Sequence, residues 1–379
     1  MSPSEKVGFV LSGGGARAAY EVGVLKAIYD GRCPAAQRQT PPEVFCGTGA
    51  GAFNAAVIAS RLPGQSPSPI VYLESLWADE IPREGLMRNN RVYRKRLDTS
   101  QFFDLPFMWH RPLKSFVQYF KDIGFLLPEL SSRTWKALTR WDISAWINLA
   151  IWNDTSPMKR LISESVSLEI IRDGETDSPQ RVLRVVTTER GAGQPQIFRN
   201  AEFSDTIGHD VILASCALPI IFPSVKIQNK EYLYGGLVMQ SPLQPAVDAG
   251  CTVIHLIHNE PKAENRMPDE DSSTMEMLNR TVAVALSATL ERDLEGRRRI
   301  NRLAASFDRY RAEKGVDMRA FVDEGQSYRR VVVHQYRPKY VLGGRAGFLD
   351  FSRETVEESI AAGSRDAAHH NCIESGCLL

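Results

Sequence analysis

The chain has 379 residues, 43% of them hydrophobic and 24% charged, with a formal net charge of +1. That length allows one large α/β domain or two ordinary ones, and the near-zero charge gives no reason to expect a nucleic-acid partner. Six cysteines without a CxxC pair exclude a disulfide scaffold and predict reduced core thiols in a cytoplasmic protein.

Met1 to Lys6 is polar and runs straight into the first apolar stretch, so no signal peptide is expected. Val7-Gly8-Phe9-Val10-Leu11 predicts a buried strand, and Ser12-Gly13-Gly14-Gly15-Ala16-Arg17-Ala18 the turn after it. Val22, Leu25 and Ile28 mark a helix that ends near Gly31. A second strand–turn–helix unit follows in Glu43-Val44-Phe45-Cys46-Gly47-Thr48-Gly49-Ala50-Gly51-Ala52. It reads as a nucleophile elbow, a strained turn that lifts a serine hydroxyl clear of the sheet, except that its central residue is Gly49. Further strands are predicted at Val182–Thr188, Thr252–His258 and Val331–Val333, with helices over 273–304 and 353–370. Near-continuous apolar strands alternating with helices predict a layered α/β fold with a mainly parallel central sheet, here one domain over 1–379. No apolar run approaches the ~20 residues of a membrane span. The tail Gly376-Cys377-Leu378-Leu379 sets its cysteine one residue too late for prenylation.

Residues 101–152 depart from this rhythm. They hold five of the six tryptophans (Trp109, Trp135, Trp141, Trp146, Trp152) among lysines and arginines. A helical, aromatic-rich insertion is expected there, either packed on the core or serving as a lid that contacts the membrane surface peripherally.

Four stretches in order resemble the patatin-like phospholipase family: Gly13 to Ala18, Gly47 to Gly51, Ala214-Ser215-Cys216-Ala217-Leu218-Pro219 with Phe222-Pro223, and Tyr234-Gly235-Gly236-Leu237 with Ser241-Pro242-Leu243. Asp154 to Met158 and the 331–370 tail are also similar to bacterial members. The resemblance implies a three-layer patatin-like fold and a Ser–Asp dyad acting on lipid esters, with the oxyanion held by glycine-loop amides. At the dyad positions this chain carries Gly49 and Tyr234. Glycine offers no attacking oxygen, and a phenol with an ordinary pKa of about 10 is no base at neutral pH. Losing the nucleophile of a serine triad lowers turnover by about a millionfold.

The expectation is therefore a pseudoenzyme that binds a lipid or fatty-acyl group without hydrolysing it. The alternative is an acyl hydrolase with another nucleophile. Gly13, Gly14 and Gly15, with amides leading into a helix, and Arg17 beside them are the candidate anion site. No metal or cofactor is expected. His255 and His258 point to opposite faces, and His369-His370 shows no ligand partners in the sequence. Arg297-Arg298-Arg299 reads as a solvated basic face, and oligomeric state is left open.

Overall fold

The computed structural model describes residues 5–37, 41–62, 64–82, 90–96, 121–128, 130–131, 149–177, 179–261, 274–318, 328–343 and 347–379. Its strands are β1 (Val7–Leu11), β2 (Val44–Thr48), β3 (Arg94–Lys95), β4 (Asn153–Asp154), β5 (Val182–Glu189), β6 (Gln194–Arg199), β7 (Val225–Ile227), β8 (Lys230–Tyr234), β9 (Val253–Ile257) and β10 (Val332–Tyr336). The main sheet runs β10-β9-β1-β2-β5-β8-β7, with β6 added to β5. From β10 to β5 every pairing is parallel, while β6, β7 and β8 form the antiparallel end. Strand β5 pairs with β2 over Val182–Val186 and with β8 over Thr187–Glu189. That change of partner brings the end of β8, Tyr234, next to the turn that follows β2.

Alternation along the strands sorts the core into two faces. Phe9, Leu11, Phe45, Leu183 and Val185 pack with helices α1 (Ala19–Tyr29), α2 (Ala50–Ala59) and Arg353–Ala368. Val10, Val44, Cys46 and Ile254 pack on the other side with Leu243, Ala246 and Val247 and with Leu290 and Leu294 of the helix Thr274–Lys314. The result is the expected three layers. The predicted 273–304 helix extends to Lys314, and the last strand starts one residue later than predicted and runs to Tyr336. Arg297 corrects the reading of a uniformly solvated basic face. It is buried and donates to Gln244 Oε1 at 2.7 Å, while Arg299 stays exposed.

Of the aromatic insertion, Trp109, Trp135, Trp141 and Trp146 lie outside the described residues. The described helical stretch 121–128 buries Leu126 and leaves Phe125 and Leu127 exposed. It is anchored by Asp122, whose carboxylate accepts two bonds from Arg94 at 2.7 and 2.8 Å, and Arg94 also pairs with Asp154. Among the described residues no helix is long and apolar enough to cross a membrane.

Helix α1 and the helix Arg353–Ala368 meet backbone to backbone through two glycines. A Cβ on Gly23 would sit 1.9 Å from the carbonyl oxygen of Ile360, and one on Gly363 would sit 2.0 Å from that of Tyr20. Gly23→Ala should therefore lower stability by about 1–3 kcal/mol, even though alanine favours a helix by roughly 1 kcal/mol. Urea denaturation should show the loss as a lower midpoint at unchanged slope.

Candidate functional site

The turn after β2 holds Gly49 at φ 60°, ψ −130°, directly ahead of α2. L-residues adopt this backbone only under strain, which is how an elbow presents a nucleophile. The turn is fixed from outside. Gly49 N–H donates to Ser215 Oγ at 2.9 Å, and Ser215 Oγ–H donates to the Val186 carbonyl at 2.6 Å. Thr48, the neighbour of the elbow, turns away and donates to the Met239 carbonyl at 3.1 Å.

Tyr234 lies over the bare Gly49. A Cβ built there would come within 2.6 Å of Tyr234 Cε2. A Cβ on Gly13 would meet the phenol oxygen at 2.0 Å, and one on Gly236, at the opposite edge of the ring, would meet Cε1 at 2.4 Å. Three glycines thus form the walls of a slot for one aromatic ring. Tyr234 O–H donates to Gln240 Oε1 at 2.8 Å, and Gln240 Nε2 donates to the Gly13 carbonyl at 2.5 Å. Burial pushes the phenol well above its ordinary pKa, against the opposing effect of the Gln240 hydrogen bond, so it is a neutral donor at physiological pH.

The glycine loop passes beside this ring, with Gly13 Cα 3.3 Å from the position of a Gly49 Cβ. Among the described residues the amides of Gly13, Gly14 and Gly15 donate to no protein acceptor, and Gly15 takes φ +58° at the start of a short 3₁₀ turn. Arg17, expected as a free positive charge, is buried and paired with Glu260. That pairing removes most of the guanidinium's long-range attraction for an anion. Its Nε is nevertheless buried without a hydrogen-bond partner.

Sequence reading missed the support beneath the loop. Asn259 Nδ2 donates to Glu21 Oε1 and to the Ser12 carbonyl, at 2.8 and 2.7 Å. Asn54 Nδ2 donates to Glu21 Oε2 at 2.8 Å, and Trp77 Nε1 donates to Asn54 Oδ1 at 2.7 Å. A Cβ on Gly14 would collide with Asn259, so the network and the loop fit each other closely. Glu21 is fully buried, and this desolvation, only partly offset by the two asparagines, pushes its pKa up to about 8.

These elements line a pocket whose empty space, counted out through its mouth, is about 840 Å³. Gly13–Gly15, Gly49 and Tyr234 form its floor, with Arg17 and Glu260 as its charged groups. Phe53, Ile81, Met158, Leu161, Leu218, Phe222 and Phe351 supply an apolar wall. Cys216 also faces it, with its thiol pKa raised by burial and hence little thiolate.

The Glu21 pKa gives a pH prediction. The folded state keeps its proton up to about pH 8, while the unfolded chain releases it near 4.5. Between those values the native state binds more protons, so folding stability falls as pH rises. Thermal unfolding should show this decline from about pH 5 to pH 8, and Glu21→Gln should flatten it. A variant with the wild-type slope would remove Glu21 as the source.

The sequence profile described as patatin-like phospholipase matches residues 9–247. No curated protein matches the chain. Among solved structures, the chain is similar to VipD from Legionella pneumophila, at 14% identity and a TM-score of 0.39. That superposition covers 97% of this chain and 66% of the other, so this chain spans just under two thirds of its length. The profile spans more than half of the 379 residues and includes the glycine loop, the elbow and the Tyr234 segment. The chain belongs to the patatin-like phospholipase family.

Proposed function

We propose that this protein is a pseudoenzyme that binds a fatty-acyl group or lipid ester in the pocket above Gly49 and does not hydrolyse it. The observation that carries this reading is the slot for Tyr234. With its ring 2.6 Å from where a Gly49 Cβ would stand, the elbow has neither an attacking oxygen nor room for one, while the apolar wall is kept. The Arg17–Glu260 pair favours an uncharged acyl carbonyl on the Gly13–Gly15 amides over a free phosphate or carboxylate. The chain of the ligand would lie against Met158, Leu161 and Phe222.

Purified protein should take up a fluorescent long-chain acyl ester with no turnover above a mock preparation and no labelling by a fluorophosphonate. Leu218→Trp, which fills the half-buried wall, should weaken binding about tenfold or more at unchanged Tm, equivalent to about 1.4 kcal/mol. Stoichiometric fluorophosphonate labelling would instead make the protein a hydrolase with a different nucleophile. Absence of binding would leave the pocket without an acyl ligand.

Restoring the dyad tests the same geometry. Gly49→Ser alone should be destabilised and inactive, because its Cβ meets the Tyr234 ring. Tyr234→Asp alone should be inactive for want of a nucleophile. The double variant should gain ester hydrolysis measurable above both singles, since the loop amides are untouched. It should also lose on the order of 2–5 kcal/mol of stability, from backbone strain and the cavity left by the ring.

A further inference from the structure

At the opposite edge of the main sheet, two strands away from β1, four metal-binding side chains converge. His334 comes from the edge strand β10, and His370, Cys372 and Cys377 come from the last ten residues of the chain. No ligand partner for His370 is visible in the sequence, because His334 lies across an intervening helix. The fold supplies that partner. His334 Nδ1 lies 3.4 Å from Cys372 Sγ, and His370 Nε2 lies 3.5 Å from Cys372 Sγ and 3.4 Å from Cys377 Sγ. All four donor atoms lie within 4.8 Å of one another.

These distances have a chemical meaning. Zinc–sulfur bonds of about 2.3 Å and zinc–nitrogen bonds of about 2.0 Å in a tetrahedron put N and S donors roughly 3.5 Å apart. Three sulfur–nitrogen edges already have that length, and small side-chain rotations close the wider ones. The surroundings suit ligation as well. Ser375 Oγ lies 3.4 Å from His370 Nδ1, a partner for the nitrogen that does not face the sulfurs. The Gln335 N–H donates to Cys377 Sγ at 3.3 Å, which would stabilise a thiolate. Two imidazoles and two thiolates in tetrahedral array select zinc among the common divalent ions, and a closed set of four protein ligands marks a structural centre.

We propose that His334, His370, Cys372 and Cys377 bind one zinc ion, which clamps the C-terminal tail onto the edge strand β10. The backbone places the tail for this. Val333 and Leu378 exchange N–H···O bonds of 2.8 and 2.9 Å, and Gln335 Nε2 donates to the Gly376 carbonyl at 2.5 Å. The clamp covers part of an edge that would otherwise present unpaired backbone. On binding, each cysteine thiol releases its proton to solvent and donates a sulfur lone pair to the metal, with no change in oxidation state.

The test is elemental analysis of the full-length chain, expressed with zinc supplementation and purified under reducing conditions. One zinc per chain is expected. Cys372→Ser/Cys377→Ser and His370→Ala should each lose at least nine tenths of it, whereas Cys33→Ser, which alters a buried thiol outside the set, should retain it. Cobalt(II) replacement should give the intense ligand-field and thiolate charge-transfer absorption of a tetrahedral site. If the ligand variants do not fold, the wild-type chain still decides the matter. Chelation should lower Tm and make the bonds after residue 368 protease-sensitive, with zinc but not magnesium reversing both. A folded wild-type chain without zinc, a pale six-coordinate cobalt spectrum, or a chain indifferent to chelation would overturn the proposal. So would a Cys372–Cys377 disulfide persisting in reductant.

Discussion

One volume of space beside the elbow can hold the ring of Tyr234 or a side chain at position 49, and it cannot hold both. The positive φ of Gly49 and the absence of a Cβ there, at Gly13 and at Gly236 are what let the ring in. Once in, the ring does structural work that a serine would not. Its hydroxyl reaches Gln240, and Gln240 reaches the Gly13 carbonyl, so the end of β8 and the glycine loop become one hydrogen-bonded unit. Buried polar groups are costly unless paired, and each member of this chain of bonds is paired with the next.

The same logic governs the layer beneath. Glu21 sits in α1 with no cation against it among the described residues, and its carboxyl is held by two asparagines from different parts of the chain. A charged carboxylate there would face a desolvation penalty that the asparagines offset only in part, and a proton relieves it. The network fixes the glycine loop by geometry instead of charge. Loop amides without protein partners among the described residues are therefore presented from a rigid support. The apolar wall of the pocket stands beside this loop.

The local parts of this design were legible in the sequence because they are encoded by neighbours. Apolar strands ending in glycine turns and followed by small-residue helices gave β1, β2 and α2, and the gap at Gly49 was visible at once. What escaped was encoded across distance. Gln240 and Gly13 are 227 residues apart, and Ser215 meets Gly49 across 166. Glu21 falls within a helix whose periodicity is carried by Val22, Leu25 and Ile28, so nothing local distinguishes it from a solvated carboxylate. Arg297 misled for the converse reason. Three consecutive arginines on a helix occupy different faces, and the first one turns inward to Gln244. The His334–His370–Cys372–Cys377 cluster joins a strand to a tail on the far side of a sixteen-residue helix, beyond the reach of any spacing rule.

Geometry also orders the changes that separate this elbow from one bearing a serine. With a side chain at 49, a tyrosine ring at 234 would meet its Cβ at 2.6 Å, inside any real carbon–carbon contact. With glycine at 49 and a carboxylate at 234, the slot bounded by Gly13 and Gly236 would stand partly empty, and a cavity of that kind is itself destabilising. Glycine at 49 leaves the space open, and the aromatic ring at 234 fills it with packing and one side-chain hydrogen bond, to Gln240. Gly49 and Tyr234 are, in three dimensions, one packing unit. That unit forms a packed floor under the apolar pocket.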